Sequence, residues 1–526
     1  MYKPYTPYKG DPVTATTVPA TTPVERRPDR WLILAVICLV QLVVILDNTV
    51  LNVAVPSLTK ELGATTAQTQ WVIGAYSLAQ AGMLIAAGGL ADRYGRKLVQ
   101  MLGLGLFGVG SLGGALSSTP GELIAARFGM GVGGSLLLAT TIALVVRTFD
   151  AEEQPKALGA AMGVGSLGFA LGPIIGGALL AHFWWGSVFI VNLPVCVLGL
   201  LAVARFVPES KDPQGERPDL LGALLSIVGL VAVVYAIIQG PGYGWTSGRT
   251  LAPGAIGVVF VVLFVLWERR TPHPLLDMSF FHNARFRGAV SGGVLVSFGM
   301  GGSLFLLTQH LQFVLGYGPL EAGLRTAPMA LTIVLLNLTG TGMRITSKLP
   351  APVAIAGGLS LMAGGLAAIA VLGRHGDYLG ILLGLVLMGA GVACAQPAMA
   401  GSVMSSIPPE KAGVGSGLMG TLSELGNSLG VAVLGAVLTA GFAASLPAGV
   451  PQDAARSLPK ALATAGPGRA HQVANAFADS LTSAQLIGAV AVLVGGLLAA
   501  WLIGRAVAGT PAGGGPVVEP EPATAA

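Results

Sequence analysis

The chain has 526 residues, of which 53% are hydrophobic and only 10% are charged, and its mean hydropathy is +0.75. An ordinary soluble domain carries about 25% charged residues, so this composition excludes a water-soluble globular fold. The net charge of +5 does not point to nucleic acid, because the basic residues sit in short loops between apolar runs and form no separate domain.

Apolar runs of about 20 residues select helices over the roughly 10-residue strands of a membrane barrel, since either must satisfy its backbone inside lipid. Taken in chain order, the runs and their breakers predict spans near 31–55, 71–90, 98–117, 121–146, 157–181, 187–207, 220–240, 251–268, 288–314, 322–343, 351–372, 379–404, 412–441 and 482–506. The expected fold class is an all-α polytopic membrane protein with 14 transmembrane helices. The 77 glycines read as packing surface, because small residues let membrane helices approach closely. Cys38, Cys196 and Cys394 fall inside apolar runs and read as small buried hydrophobes, not as a disulfide framework.

Residues 1–30 are polar and Pro/Thr-rich and show no cleavable signal peptide, so the first span is expected to serve as an uncleaved signal. Residues 507–526 are expected to be a disordered tail. An even number of spans puts both termini on one side. Most of the 29 Lys and Arg residues fall on that same side, so the termini are expected to be cytoplasmic. Two longer stretches, Glu268–Arg287 and the outer 442–481, read as connectors.

Between spans two and three the chain reads Gly88-Gly89-Leu90-Ala91-Asp92-Arg93-Tyr94-Gly95-Arg96-Lys97. Glycine permits a tight turn, and alternating charges can latch neighbouring helix ends in one state and release them in another. A positive-inside loop alone explains the bases but not Asp92 and Gly95 at these spacings. This stretch resembles the signature loop of the major facilitator superfamily. Leu46-Asp47-Asn48-Thr49-Val50-Leu51-Asn52-Val53-Ala54-Val55-Pro56, Gln70-Trp71 through Tyr76, and Arg127-Phe128-Gly129-Met130-Gly131 resemble the first-, second- and fourth-span motifs of its fourteen-span drug:H⁺ antiporters. The resemblance implies the major facilitator fold: a six-helix bundle over 31–207, two additional helices over 220–268, central in the chain, and a second six-helix bundle over 288–506. It also implies a bacterial inner-membrane protein, functional as a monomer, whose partners are a small-molecule substrate, protons and the lipid bilayer. The proton gradient is its energy source, in place of a cofactor.

In the fifth span, Gly168, Gly172 and Gly176 are spaced by four and form a bare stripe, with Pro173 inviting a kink and Gly177 following. This resembles the antiporter motif, which the family associates with sealing against proton leak and with exchange. Simple helix packing is the plainer alternative. An offset of 258 residues aligns Gly168, Leu171, Gly172 and Gly177 with Gly426, Leu429, Gly430 and Gly435, an echo expected of a transporter built from related halves.

Charges inside a bilayer cost about 2.5–3.5 kcal/mol each on insertion scales and mark function. Three stand within the predicted spans: Asp47, Arg127 and Glu424. Asp47 lies about 24 Å along its span at 1.5 Å per residue, which places it toward the outer leaflet. Asp47 or Glu424 is the expected proton carrier, with Arg127 pairing the ionised acid; a static ion pair that only fixes packing is the alternative. An acid before Leu425-Gly426-Asn427 resembles the multidrug branch that exports quaternary ammonium and other lipophilic cations. Gln41, Asn48, Asn52, Trp71, Tyr76, Gln309, His310, Asn337 and Gln396 are candidates to line a substrate cavity, with interhelical hydrogen bonding the competing role. Glu122, three residues after Thr119, reads as a capping-box residue.

The sequence also departs from the family pattern. Trp184-Trp185-Gly186 replaces the usual Trp-Arg-Trp before Asn192-Leu193-Pro194, and Met343-Arg344-Ile345-Thr346-Ser347-Lys348, the second half's counterpart of the signature loop, lacks an acid. No lysine precedes Ser or Thr, so no phosphate-binding loop of an ATP-driven pump exists. No nucleophile or acid pair suggests an enzyme, and the six histidines show no metal-ligand spacing. The leading reading is a proton-coupled drug exporter. The alternatives are an exporter dedicated to one endogenous metabolite or antibiotic, and a non-transporting sensor on the same scaffold.

Overall fold

A computed structural model describes residues 28–150, 152–211, 218–373, 378–408 and 412–508. The expected terminal tails therefore lie almost wholly outside the described residues. Among the described residues the structure is helical, with 14 helices long and apolar enough to cross a membrane. In chain order these are α1 (Arg30–Glu61), α2 (Thr66–Tyr94), α3 (Arg96–Ala115), α4 (Pro120–Thr148), α5 (Gln154–His182), α6 (Ser187–Phe206), α7 (Leu220–Tyr243), α8 (Gly248–Glu268), α9 (Ala284–Val314), α10 (Pro319–Leu338), α11 (Ala351–Leu372), α12 (Tyr378–Met404), α13 (Gly415–Ser445) and α14 (Pro467–Ala506).

Local chemistry explains several boundaries. Thr65 and Thr119 start α2 and α4 through complete capping boxes with Gln68 and Glu122, so Glu122 caps a helix as its spacing suggests. Gly95 separates α2 from α3 with φ +115, a conformation that L side chains rarely adopt. Three expectations are corrected. Helix α1 runs through Pro56 to Glu61, because a proline inside a membrane helix need not end it when neighbours satisfy the freed carbonyl; Asp47 therefore sits near the middle of its helix and not two-thirds of the way along it. Helix α10 stops at Leu338, where Gly340 turns left-handed at φ +63, and Thr341–Ser347 forms a separate short helix. The stretch 442–481 is largely helical: α13 continues to Ser445, Gln452–Arg456 is a 3-10 turn, Leu458–Ala465 is a helix, and α14 begins well before residue 482. Its apolar residues Val450, Ala454, Ala455, Leu458 and Ala461 are buried in the main core together with Phe442 and Phe477. At the surface of this stretch Lys460 donates to Asp453 at 2.9 Å and holds that carboxyl below its ordinary range.

Two related sets of packed helices are visible. Helix α5 lies against α1 and α10, and α13 lies against α9 and α2. The glycines aligned by the internal echo make these contacts. A Cβ on Gly172 would collide with Thr49 Oγ1 of α1, and one on Gly430 with the Phe298 carbonyl of α9. A Cβ on Gly177 would meet the Pro319 carbonyl of α10 at 2.6 Å, and one on Gly435 the Gln70 amide of α2.

The helices α7 and α8, central in the chain, are lateral in space. Helix α7 packs into the seam between α2 and α13 through Val234 and Ile238, beside Leu78 and Ala432. Helix α8 crosses α7 at Gly229 and Gly257, whose backbones approach closely, and otherwise presents exposed Val258, Val259, Val262 and Leu266.

Candidate membrane-embedded charge site

The site begins with α1 and α4. Arg127 Nη1 of α4 donates to Asp47 Oδ2 of α1, and both side chains are almost completely buried. Asn192 Nδ2 of α6 donates to the other carboxylate oxygen at 2.9 Å and to Ser111 Oγ at 3.2 Å. Arg127 Nε donates to the Val72 carbonyl at 3.2 Å, and the guanidinium lies 4.1 Å over the Tyr76 ring. The charge on each partner is thus compensated by the other and by further hydrogen bonds, which a buried pair requires to offset desolvation. The sequence leaves open which acid takes Arg127; the structure pairs it with Asp47.

Glu424 stands on α13, across the boundary between the two helix sets. Asn48 Nδ2, one residue beyond Asp47 on α1, donates to its Oε1 at 3.4 Å, while Oε2 is enclosed with no hydrogen-bond partner. Asn427, one turn further along α13, donates to Ser77 Oγ of α2 at 3.1 Å. The Tyr76 hydroxyl and Arg127 Nη2 are also buried without partners. The result is a buried ion pair in the first half, with one guanidinium nitrogen unpartnered, and an acid with one unpartnered oxygen facing it from the second. Unfilled hydrogen-bonding capacity at membrane depth is what a proton or a polar ligand can take up.

The cavity candidates divide. Asn48 and Tyr76 join the charge cluster; Asn52 Nδ2 bonds the Asn48 carbonyl at 3.5 Å with its Oδ1 unpartnered. Gln41 faces α5 at Gly165, its Oε1 buried and unpartnered. Trp71 packs on Tyr235 of α7, centroids 6.1 Å apart. Gln309 turns back to its own helix at the Phe305 carbonyl, and His310 Nε2 lies 3.2 Å from the Gly373 carbonyl, so neither joins the cluster. Asn337 and Gln396 are exposed. The six-residue echo of charge in the second half, Arg344 and Lys348, likewise lies away from it on the short helix Thr341–Ser347 and its end.

The signature loop docks within its own half. Arg96 pairs with Asp92 and donates to Ser210 Oγ at 2.8 Å; the Lys97 amide donates to Glu209 Oε1 at 3.2 Å, and Lys97 Nζ to the Ala204 carbonyl at 2.7 Å. Gly95 has its own reason here, since a Cβ would overlap the Glu209 carboxylate. Arg93 lies over Tyr94 at 5.8 Å, Gly88 faces open space and Gly89 abuts Pro218. The glycine stripe seats on α1: Gly168 meets Leu42 and Ile45, Gly172 meets Thr49, and Gly176 meets Val50, while the Pro173 carbonyl fills the space beside Gly323 of α10.

Three residues of the charge cluster escape a sequence reading: Asn192, Ser111 and Ser77 are uncharged, and nothing in their spacing ties them to Asp47 or Glu424. The Asn192-Leu193-Pro194 motif is the one available signal. A further buried acid, Glu268, ends α8 and accepts from the Leu276 amide at 2.9 Å, fastening the following loop away from the central cluster.

Comparison with known proteins gives a consistent family. The description "Major Facilitator Superfamily" matches residues 37–431. The chain is 35% identical over 405 residues to the multidrug resistance protein Stp of Mycobacterium tuberculosis, an alignment covering 77% of this chain and 75% of that protein. It is 35% identical over 460 residues to the methyl viologen resistance protein SmvA of Salmonella typhimurium, covering 85% and 90%. A solved bacterial homologue of the human lysosomal transporter Spinster, inward-facing and unoccupied, shares the fold with a TM-score of 0.67 at 18% identity, covering 92% of this chain and 98% of that one.

Proposed function

The chain belongs to the Major Facilitator Superfamily of multi-pass membrane transporters, and from that premise we propose that it is a proton-coupled antiporter exporting lipophilic, cationic drugs by alternating access. The observation that carries the reading is the arrangement of Glu424, with one carboxylate oxygen open to a new partner, opposite the buried Asp47–Arg127 pair. A cation entering between the halves meets the negative charge of Glu424; a proton on the same carboxyl removes that charge and releases the cation. One acid that holds either proton or substrate is the simplest device for obligatory exchange. Asp47, held by Arg127 and Asn192 beside it, is the second proton-handling group, and its protonation would free Arg127 to re-pair.

The relatives support export of drugs: one is named for multidrug resistance and another for resistance to methyl viologen, a dication. We place the protein in a bacterial inner membrane as a monomer with both termini cytoplasmic, on the side where Lys and Arg concentrate. The six-helix units 31–207 and 288–506 are then the two rocking halves. The testing experiment is efflux in everted membrane vesicles over a panel of cationic, neutral and anionic compounds, with and without a pH gradient. Cation efflux that vanishes when the gradient is dissipated is expected; efflux indifferent to the gradient would overturn the reading.

A further inference from the structure

Two glutamines cross the boundary between the helix sets in opposite directions. Gln70, in the first turns of α2, is completely buried, and its Nε2 donates to the carbonyls of Val431 at 2.9 Å and Ala432 at 3.0 Å on α13. Gln312, in the π-helical turn His310–Val314 that ends α9, donates through Nε2 to the Val53 carbonyl of α1 at 2.9 Å. One amide reaches from the first half to the second, and the other from the second to the first. Both lie in the membrane half opposite the termini, the half in which α5 and α10 also touch, where Gly323 of α10 abuts the Pro173 carbonyl and Gly177 of α5 the Pro319 carbonyl. The α5–α10 contact continues through Ala170, Ala330 and Val334. Beyond it a Cβ on Gly159 or Gly163 would find nothing within 4 Å and Met162, Leu335 and Leu338 are exposed, while α2 and α13 stay in contact there at Leu84 and Gly420.

We propose that Gln70 and Gln312 form a reciprocal two-point clasp that keeps the face opposite the termini closed and must release whenever that face opens. The inference rests on the alternating-access reading above. Each acceptor is a main-chain carbonyl inside a helix, and a carbonyl has a second lone pair, so these bonds add to the helical ladder without replacing it. Releasing them strands no backbone group; only two amides need new partners, which water supplies once the face is open. An apolar seal would give no such directional release, and an ion pair would leave two charges to solvate. Two local features serve the clasp. Gly435 leaves room for the Gln70 amide to lie on α13, since a Cβ there would overlap it. The π-helical turn adds a residue to the end of α9, and such turns recur at functional positions.

The test is a distance measurement between spin labels at Glu61→Cys on α1 and Ala444→Cys on α13, both exposed, in full-length protein whose Cys38, Cys196 and Cys394 are replaced by serine. Gln312→Leu should enlarge the long-distance population about five-fold, the factor carried by one typical net hydrogen bond, and Gln70→Leu, which loses two, by more. Gln70→Asn, which keeps the amide but is too short to span the gap, should act like Gln70→Leu and guards against a packing artefact of leucine. Populations unchanged in folded variants would overturn the clasp. A wild-type protein showing a single distance population under every pH and substrate condition would instead overturn the alternating-access reading on which it rests.

Discussion

A buried carboxylate beside a buried guanidinium is held in place by what the loss of either would leave behind. Removing one partner of such a pair costs about 3–5 kcal/mol, whereas removing both costs far less. Asp47→Asn should therefore lower the melting temperature of the purified protein and abolish proton-driven efflux, while Asp47→Asn combined with Arg127→Gln recovers much of the stability and none of the transport. Unimpaired efflux in the single variant would reduce the pair to a packing element. Glu424 has no such partner, so Glu424→Gln should leave the melting temperature nearly unchanged and impair efflux of cations more than of neutral compounds; equal loss for both classes would assign Glu424 to proton handling alone. The three membrane-embedded charges were legible in the sequence because charge is rare and expensive there. Which acid pairs with Arg127 was not, because the choice depends on how α1, α4 and α13 sit in space, and the uncharged Asn192 that orients Asp47 carries no comparable signal.

At the scale of helices, the glycine stripe of α5 is a contact surface with a specific opponent. A Cβ on Gly172 overlaps Thr49 Oγ1, and crowding of this kind costs about 1–3 kcal/mol. Gly172→Ala should destabilise the protein and slow transport, and Thr49→Ala on the opposing helix should rescue it in part. Gly163→Ala, on the same helix but facing open space, should do neither; a Gly163 effect as large as that of Gly172 would refute the assignment of the stripe to α1. Thr119→Ala removes the capping hydroxyl of α4 and should cost about 1 kcal/mol in a thermal melt with transport intact. All fourteen helices were legible from apolar run length, and the Thr119–Glu122 cap from its spacing. The errors came where hydropathy stops informing: α1 continues past Pro56 because its neighbours tolerate it, and the helix Leu458–Ala465 escaped notice because it is short and alanine-rich and gains its stability from packing against α14, with Leu458 and Ala461 buried in the main core.

For the whole molecule, the echo between Gly168–Gly177 and Gly426–Gly435 proved to have spatial content, since the aligned glycines make corresponding contacts, α5 with α1 and α10, α13 with α9 and α2. Four aligned residues cannot reveal the lateral seat of α7 and α8, nor that the molecule is closed on the face opposite its termini, because both depend on contacts between distant segments. Two related helix sets with a buried acid between them have the form of a machine that exposes one site to two sides in turn. Exchange of substrate for protons is then a statement about flux. Purified protein in liposomes loaded with a lipophilic cation and a pH-sensitive dye, then diluted into cation-free buffer without an imposed gradient, gives the most direct reading. Cation leaving the lumen should drive protons in and acidify it, and Glu424→Gln should abolish the signal; cation efflux with no change in luminal pH would contradict proton-coupled antiport.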